Sequence, residues 1–194
     1  MKDFTNKVKN ELQKNGNKKI TAIRIARRPI NGIIEKALNL VSLGSWSILR
    51  KKYFYDKLFH LSLQLTLQDG TVYSFEKFDV VSLYKDKRCS DRGVDCIDIT
   101  EYQQNSLTLN DIVINPIDSM TNEEYFIYDP FKFNCQNFIS GILKHHGLLS
   151  DKNNKFIYQD IKDIVRNLPV FTKFFARTYT DFTAKIKELR GDGI

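Results

Sequence analysis

The stretch LFHLSLQLTLQDGTVYSFEKF, residues Leu58 to Phe78, decides the architecture. Leu61, Leu63, Leu65 and Leu67 alternate with His60, Ser62, Gln64 and Thr66, the two-residue period of a strand with one apolar and one polar face. Asp69-Gly70 is a strong hairpin turn, and Thr71 to Phe78 returns as the partner strand. A half-buried antiparallel hairpin is expected, with His60 on its polar side. A core histidine would sit more naturally among the leucines, so this position points to a cleft.

Register decides what meets His60. A two-residue Asp69-Gly70 loop pairs Gln68 with Thr71 and hence His60 with Asp79; a one-residue change in loop length sets Glu76 opposite Ser62 and diagonal to His60. Either acid is able to orient an imidazole, and the residues alone leave both open.

Outward from the hairpin, strands are expected at Ile20 to Ala26, stopped by Pro29, then at Val80 to Tyr84, Val94 to Ile99 and Leu107 to Ile114. Residues 85–93 read as a charged loop in which Cys89 has no evident partner. Helical patterns fall at residues 6–14, at Ile33, Ile34, Ala37, Leu38 and Val41, and at Ile157 to Leu168 and Tyr179 to Leu189. Phe171, Phe174 and Phe175 between the last two read as core or interface. Hairpins followed by helices predict an α+β domain, an antiparallel sheet packed against helices. Residues 1–19 form a basic N-terminal extension in this scheme, 20–150 the core, and 151–194 a C-terminal helical extension packed on it.

Cys135 lies in Tyr128-Asp-Pro-Phe-Lys-Phe-Asn-Cys-Gln-Asn-Phe-Ile139. Asn134 is a good N-cap, which puts Cys135 at the first helical position, where unpaired N–H groups and the helix dipole favour a thiolate. Phe138, Ile139, Ile142 and Leu143 follow at three, four, seven and eight positions, so the sulfur shares the stripe that faces the sheet. Gly147 is the expected left-handed residue beyond the helix end. A buried cysteine on an apolar stripe also reads as a small core residue, so the sulfur needs partners to be chemistry.

The whole chain constrains those partners. At 194 residues, 42% hydrophobic and with four prolines, it is long and apolar enough for one globular core. Three cysteines, Cys89, Cys96 and Cys135, with no CxxC pair suggest neither a disulfide framework nor a zinc site, hence no metal, no cofactor and a reducing compartment. No apolar run approaches the roughly 18 to 20 residues of a membrane span, and the lysine-rich start lacks a signal-peptide core. A cytoplasmic or virion-associated location, not secretion, is the expectation.

Net charge is +7, and it is unevenly spread. Residues 1–60 hold fourteen Lys/Arg against four Asp/Glu, while the rest hold sixteen against nineteen. Lys7, Lys9, Lys14, Lys18, Lys19, Arg24, Arg27, Arg28, Arg50, Lys51 and Lys52 are candidate contacts, within residues 2–52, for an anionic surface of lipid, nucleic acid or acidic protein. No glycine-rich phosphate loop or zinc finger accompanies them. A solvated basic face is the simpler reading.

A cysteine hydrolase needs a thiolate, an imidazole and a polar group that fixes the ring. Cys135, His60 and Glu76 or Asp79 satisfy that set. His145 and His146 share the helix of Cys135 and lie about 15 Å along its axis, too far to serve the sulfur. N–H groups at the helix start, with the Gln136 side chain, are candidates for an oxyanion hole.

Leu58-Phe59-His60-Leu61-Ser62-Leu63, the strand ending Tyr73-Ser74-Phe75-Glu76-Lys77, and Asn134-Cys135-Gln136-Asn137-Phe138-Ile139 together resemble the circularly permuted papain-like fold. That group includes lecithin:retinol acyltransferase-like proteins, permuted NlpC-type peptidases and related proteins of large DNA viruses. The resemblance spans roughly residues 20–150. It implies Cys135 as nucleophile, His60 as base and Glu76 as the third polar residue, with Asp79 the alternative by register. It implies a thiol protease, acyltransferase or related hydrolase acting on a peptide or acyl-lipid, or a catalytically silent structural protein with a viral assembly partner. Abundant Asn, Lys, Ile, Phe and Tyr match an AT-rich viral genome.

Overall fold

A computed structural model describes residues 3–29, 59–78, 80–86, 88–91, 93–100, 102, 106–128 and 133–158. The chain divides into two compact units, residues 1–28 with 60–158 and residues 29–59 with 159–194, and the described residues belong almost wholly to the first. The helices expected at 33–41 and 179–189, the three phenylalanines between 171 and 175, Asp79, and the span 159–168 lie outside the described residues.

The first unit is α+β, built on a five-stranded antiparallel sheet. Its strands are β1 (Ile20–Pro29), β2 (Phe59–Leu67), β3 (Val72–Lys77), β4 (Val81–Lys85) and β5 (Asp95–Asp98), in the order β4-β3-β2-β1-β5. Among the described residues five α-helices accompany them: α1 (Asn6–Asn15), α2 (Leu109–Ile114), α3 (Asn122–Phe126), α4 (Cys135–His145) and α5 (Asp151–Ile157). Each starts on a side-chain cap, from Thr5, Thr108, Thr121, Asn134 and Ser150.

The β2–β3 hairpin sets the register. Leu63 lies opposite Phe75, Gln64 opposite Ser74 and Leu65 opposite Tyr73. Leu67 N–H closes the ladder on the Thr71 carbonyl at 2.8 Å, so the loop is Gln68-Asp69-Gly70 with Gly70 at φ +80°. This loop is one residue longer than the Asp69-Gly70 turn, and continuing its register sets Ser62 opposite Glu76 and His60 opposite Phe78.

The leucine face of β2, with Tyr73 and Phe75 of β3, packs against helices. Phe75 meets Phe138 of α4 edge-on at 5.3 Å between centroids, and Tyr125 of α3 meets the same ring at 5.2 Å. Phe4, Val8 and Leu12 bring α1 into this core, and Tyr73 Oη hydrogen-bonds Glu11 and Asn15. The opposite face does not match a half-buried strand. His60, Ser62, Gln64, Ser74 and Glu76 are each at most 3% exposed, so β2 and β3 are covered on both sides. The alternation reports chemistry of the two faces, not exposure of one.

Two further expectations are corrected. Leu107 to Ile114 is not a strand: Thr108 and Asp111 form a capping box, each side chain accepting the other's backbone N–H, and the β-branched residues that suggested a strand sit in α2. Cys89 does have a partner, for it is bonded to Cys96 on the edge strand β5, with Cα atoms 6.0 Å apart. A short turn between the two, with Gly93 at φ +83°, brings them together, and the odd cysteine count therefore carries no argument for a reducing compartment. Among the described residues no helix is long and apolar enough to cross a membrane.

Candidate active site

Cys135 is the first residue of α4 and the chain's one free thiol. Asn134 makes this so: its Oδ1 accepts from Gln136 N–H at 2.9 Å and Asn137 N–H at 3.1 Å, while the apolar stripe Phe138, Ile139, Ile142 and Leu143 anchors the helix in the core. Cys135 is 6% exposed and His60 3%, which makes this a closed site.

His60 projects from β2 between two partners. Its Nε2 lies 3.2 Å from Glu76 Oε2, and the Cys135 thiol is near enough for each group to shift the other's protonation. A carboxylate only accepts, so Nε2 carries the proton toward Glu76. Tyr84 Oη, from β4, donates to the other Glu76 oxygen at 2.9 Å. The imidazole stacks on Phe78 with centroids 4.1 Å apart, and Phe78 stacks in turn on Tyr128 at 6.3 Å. One ring nitrogen and one ring face are thus engaged.

The charges follow from this placement. Burial opposes charging the imidazole, but Glu76 and the hydrogen bonds to Cys135 and Glu76 outweigh it and raise His60 to about 9. Burial likewise opposes a thiolate, yet the His60 hydrogen bond and charge, with a hydrogen bond from Leu61 N–H, lower Cys135 from its ordinary value. The pair favours thiolate and imidazolium together.

Of the residues singled out from sequence, the structure brings together Cys135, His60 and Glu76. Gln136 is buried beside the sulfur, but Asn134 takes the Gln136 and Asn137 N–H groups, which leaves Cys135 N–H as the helix-start donor for an oxyanion. His145 is elsewhere, with Nδ1 at 2.6 Å from Ser119 Oγ, and His146 packs edge-on against it. Tyr84 and Phe78 were missed, although strand alternation places Tyr84 on the Glu76 side of β4 and the observed register sets Phe78 opposite His60.

The basic residues are partly consumed within the fold. Lys18 pairs with Asp69 at 2.6 Å, Arg24 pairs with Asp98, and the Arg27 guanidinium lies 4.5 Å above the Phe156 ring. Lys7, Lys14 and Lys19 are exposed, while Arg50, Lys51 and Lys52 lie outside the described residues. Among the described residues no cluster of three or more His, Cys, Asp or Glu is arranged to hold a metal ion. Comparison with protein-family models, curated proteins and solved structures returns no match.

Proposed function

We propose that this protein is a cysteine hydrolase or acyltransferase of the circularly permuted papain-like kind, cutting an amide or ester bond through a thioester on Cys135. The observation that carries this reading is the hydrogen-bonded series Tyr84, Glu76, His60 with the Cys135 thiol coupled to the imidazole, assembled from three strands and a helix start. Supporting the permuted fold, the histidine strand precedes the cysteine helix in the chain.

The chemistry then runs in two halves. The Cys135 thiolate attacks the acyl carbon, and the carbonyl electron pair moves to oxygen, where Cys135 N–H meets it. His60 gives its proton to the departing amine or alcohol as the tetrahedral adduct collapses to a thioester. Water, or an acceptor alcohol or amine, then loses a proton to His60 as it attacks the thioester, and the acid or transferred acyl product leaves as the thiolate is restored. Glu76 stays ionised and holds the ring. A peptide and an acyl-lipid both offer the required carbonyl.

An electrophilic thiol probe tests this directly. Wild-type protein is expected to be labelled at Cys135 at neutral pH, and His60→Ala to lose that labelling by roughly two to three orders of magnitude. Labelling of His60→Ala at the wild-type rate would falsify the assignment.

A second reading draws on the closure of the site, with Glu76 fully buried and Cys135 and His60 nearly so. In it the protein keeps the fold without turnover, as a structural or interaction component, such as of a viral particle. Probe size separates the two: a working hydrolase admits a peptidyl or acyl probe as well as a small alkylating agent, whereas a silent site admits only the small one.

A further inference from the structure

Lys77 is a second buried ionisable group next to this site, and the steps above do not use it. It is the last residue of β3, on the face opposite Glu76, and it is fully buried. Lysine is almost never buried without partners, so its contacts carry information. Its Nζ donates to the carbonyls of Glu124 and Ile127, at 2.5 and 2.9 Å, which are last-turn and cap carbonyls of α3. A cation there satisfies groups that the helix itself leaves open.

The same ammonium lies 5.4 Å from the centroid of Phe138. Phe138 is three residues after Cys135 and therefore on the same side of α4 as the sulfur. Just past the end of β3, Phe78 stacks on both His60 and Tyr128. One strand end thus holds the last turn and cap of α3 and is followed by the ring that stacks on His60.

We infer that Lys77 is a positioning residue for the Cys135 thiolate: held by the Glu124 and Ile127 carbonyls, its ammonium keeps a positive charge beside the face of α4 that carries the sulfur. The inference rests on the reading of Cys135 as a nucleophile. Charge coupling between the two groups supports it, for burial depresses Lys77 to about 8 while Cys135 and Glu124 act to hold its proton on. Among the described residues, the titratable groups coupled to the sulfur are His60 from β2, Glu76 and Lys77 from β3; Tyr84 from β4 reaches it only through Glu76, and Glu124 from α3 is coupled to Lys77.

The test is the pH profile of Cys135 alkylation by iodoacetamide in wild type, Lys77→Arg and Lys77→Met. Lys77→Met is expected to move the midpoint upward by about one unit, a roughly tenfold loss of rate below it, with Lys77→Arg close to wild type. A role in packing alone lowers melting temperature in Lys77→Met and leaves the midpoint in place, which overturns the inference. If Lys77→Met does not fold, NMR titration of the Lys77 amine in wild type and Cys135→Ala decides: coupling requires a lower midpoint in Cys135→Ala, and an unchanged one overturns it. Failure of the parent reading is distinguishable, since wild-type Cys135 would then show no thiolate reactivity at neutral pH.

Discussion

At the scale of single residues, the site is a set of contacts in which each group fixes the next. Glu76 sits between a ring N–H and a phenol, so removing its charge while keeping its shape isolates its electrostatic part. Glu76→Gln is expected to lower the imidazolium pKa and slow Cys135 alkylation at neutral pH by roughly ten- to a hundredfold. Tyr84→Phe removes one hydrogen bond, worth about 1 kcal/mol, and is expected to slow it about fivefold. An order reversed between these variants would mean that the carboxylate charge is not what sustains the pair. Cys135 and His60 were legible in the sequence because alternation and capping are local signals, whereas the residues alone left Glu76 and Asp79 both open. Lys77 was not: a lysine at a strand end reads as solvated, and only the approach of α3 supplies the carbonyls that bury it.

At the scale of elements, the caps decide more than propensity does. Leu107 to Ile114 has the β-branched content of a strand, yet the Thr108–Asp111 capping box makes it a helix. The short helix α3 begins in the same way at Thr121 and α5 on a simple Ser150 cap, and their brief apolar patterns hid them. The hairpin was readable down to two registers; the loop length that chose between them depends on the closing Leu67–Thr71 bond. For α4 the cap is also functional, since Asn134 both starts the helix and leaves Cys135 N–H unclaimed. Asn134→Ala is expected to lower stability by about 1 kcal/mol in denaturant unfolding, and Asn134→Asp to retain most of it. No loss in Asn134→Ala would mean that packing of the Phe138 stripe alone holds this terminus.

At the scale of the whole molecule, the central strands β2 and β3 are buried on both faces and the β5 edge of the sheet is tied by the Cys89–Cys96 disulfide. Sequence could not show either feature, because an odd cysteine count does not say which two meet, and alternation does not say what covers a polar face. Breaking the disulfide in Cys89→Ser with Cys96→Ser is expected to cost about 2 kcal/mol, read by thermal unfolding, through the freed loop of the unfolded chain. Cys135 reactivity should be unchanged, and a parallel loss of it would show that the edge governs the site. Because the disulfide consumes the other two cysteines, thiolate absorbance of the intact protein reports Cys135 alone. His60 is raised, so its charge is present at neutral pH and lost as pH rises through about 9; the thiol is lowered, so the two coexist across neutral pH. The decisive measurement is therefore an ultraviolet pH titration of wild type, Cys135→Ala and His60→Ala. The expected result is a thiolate signal already present at neutral pH, absent in Cys135→Ala, and shifted to higher pH in His60→Ala. A wild-type signal that appears only above about 8.5, the range of an unassisted cysteine, would contradict the account.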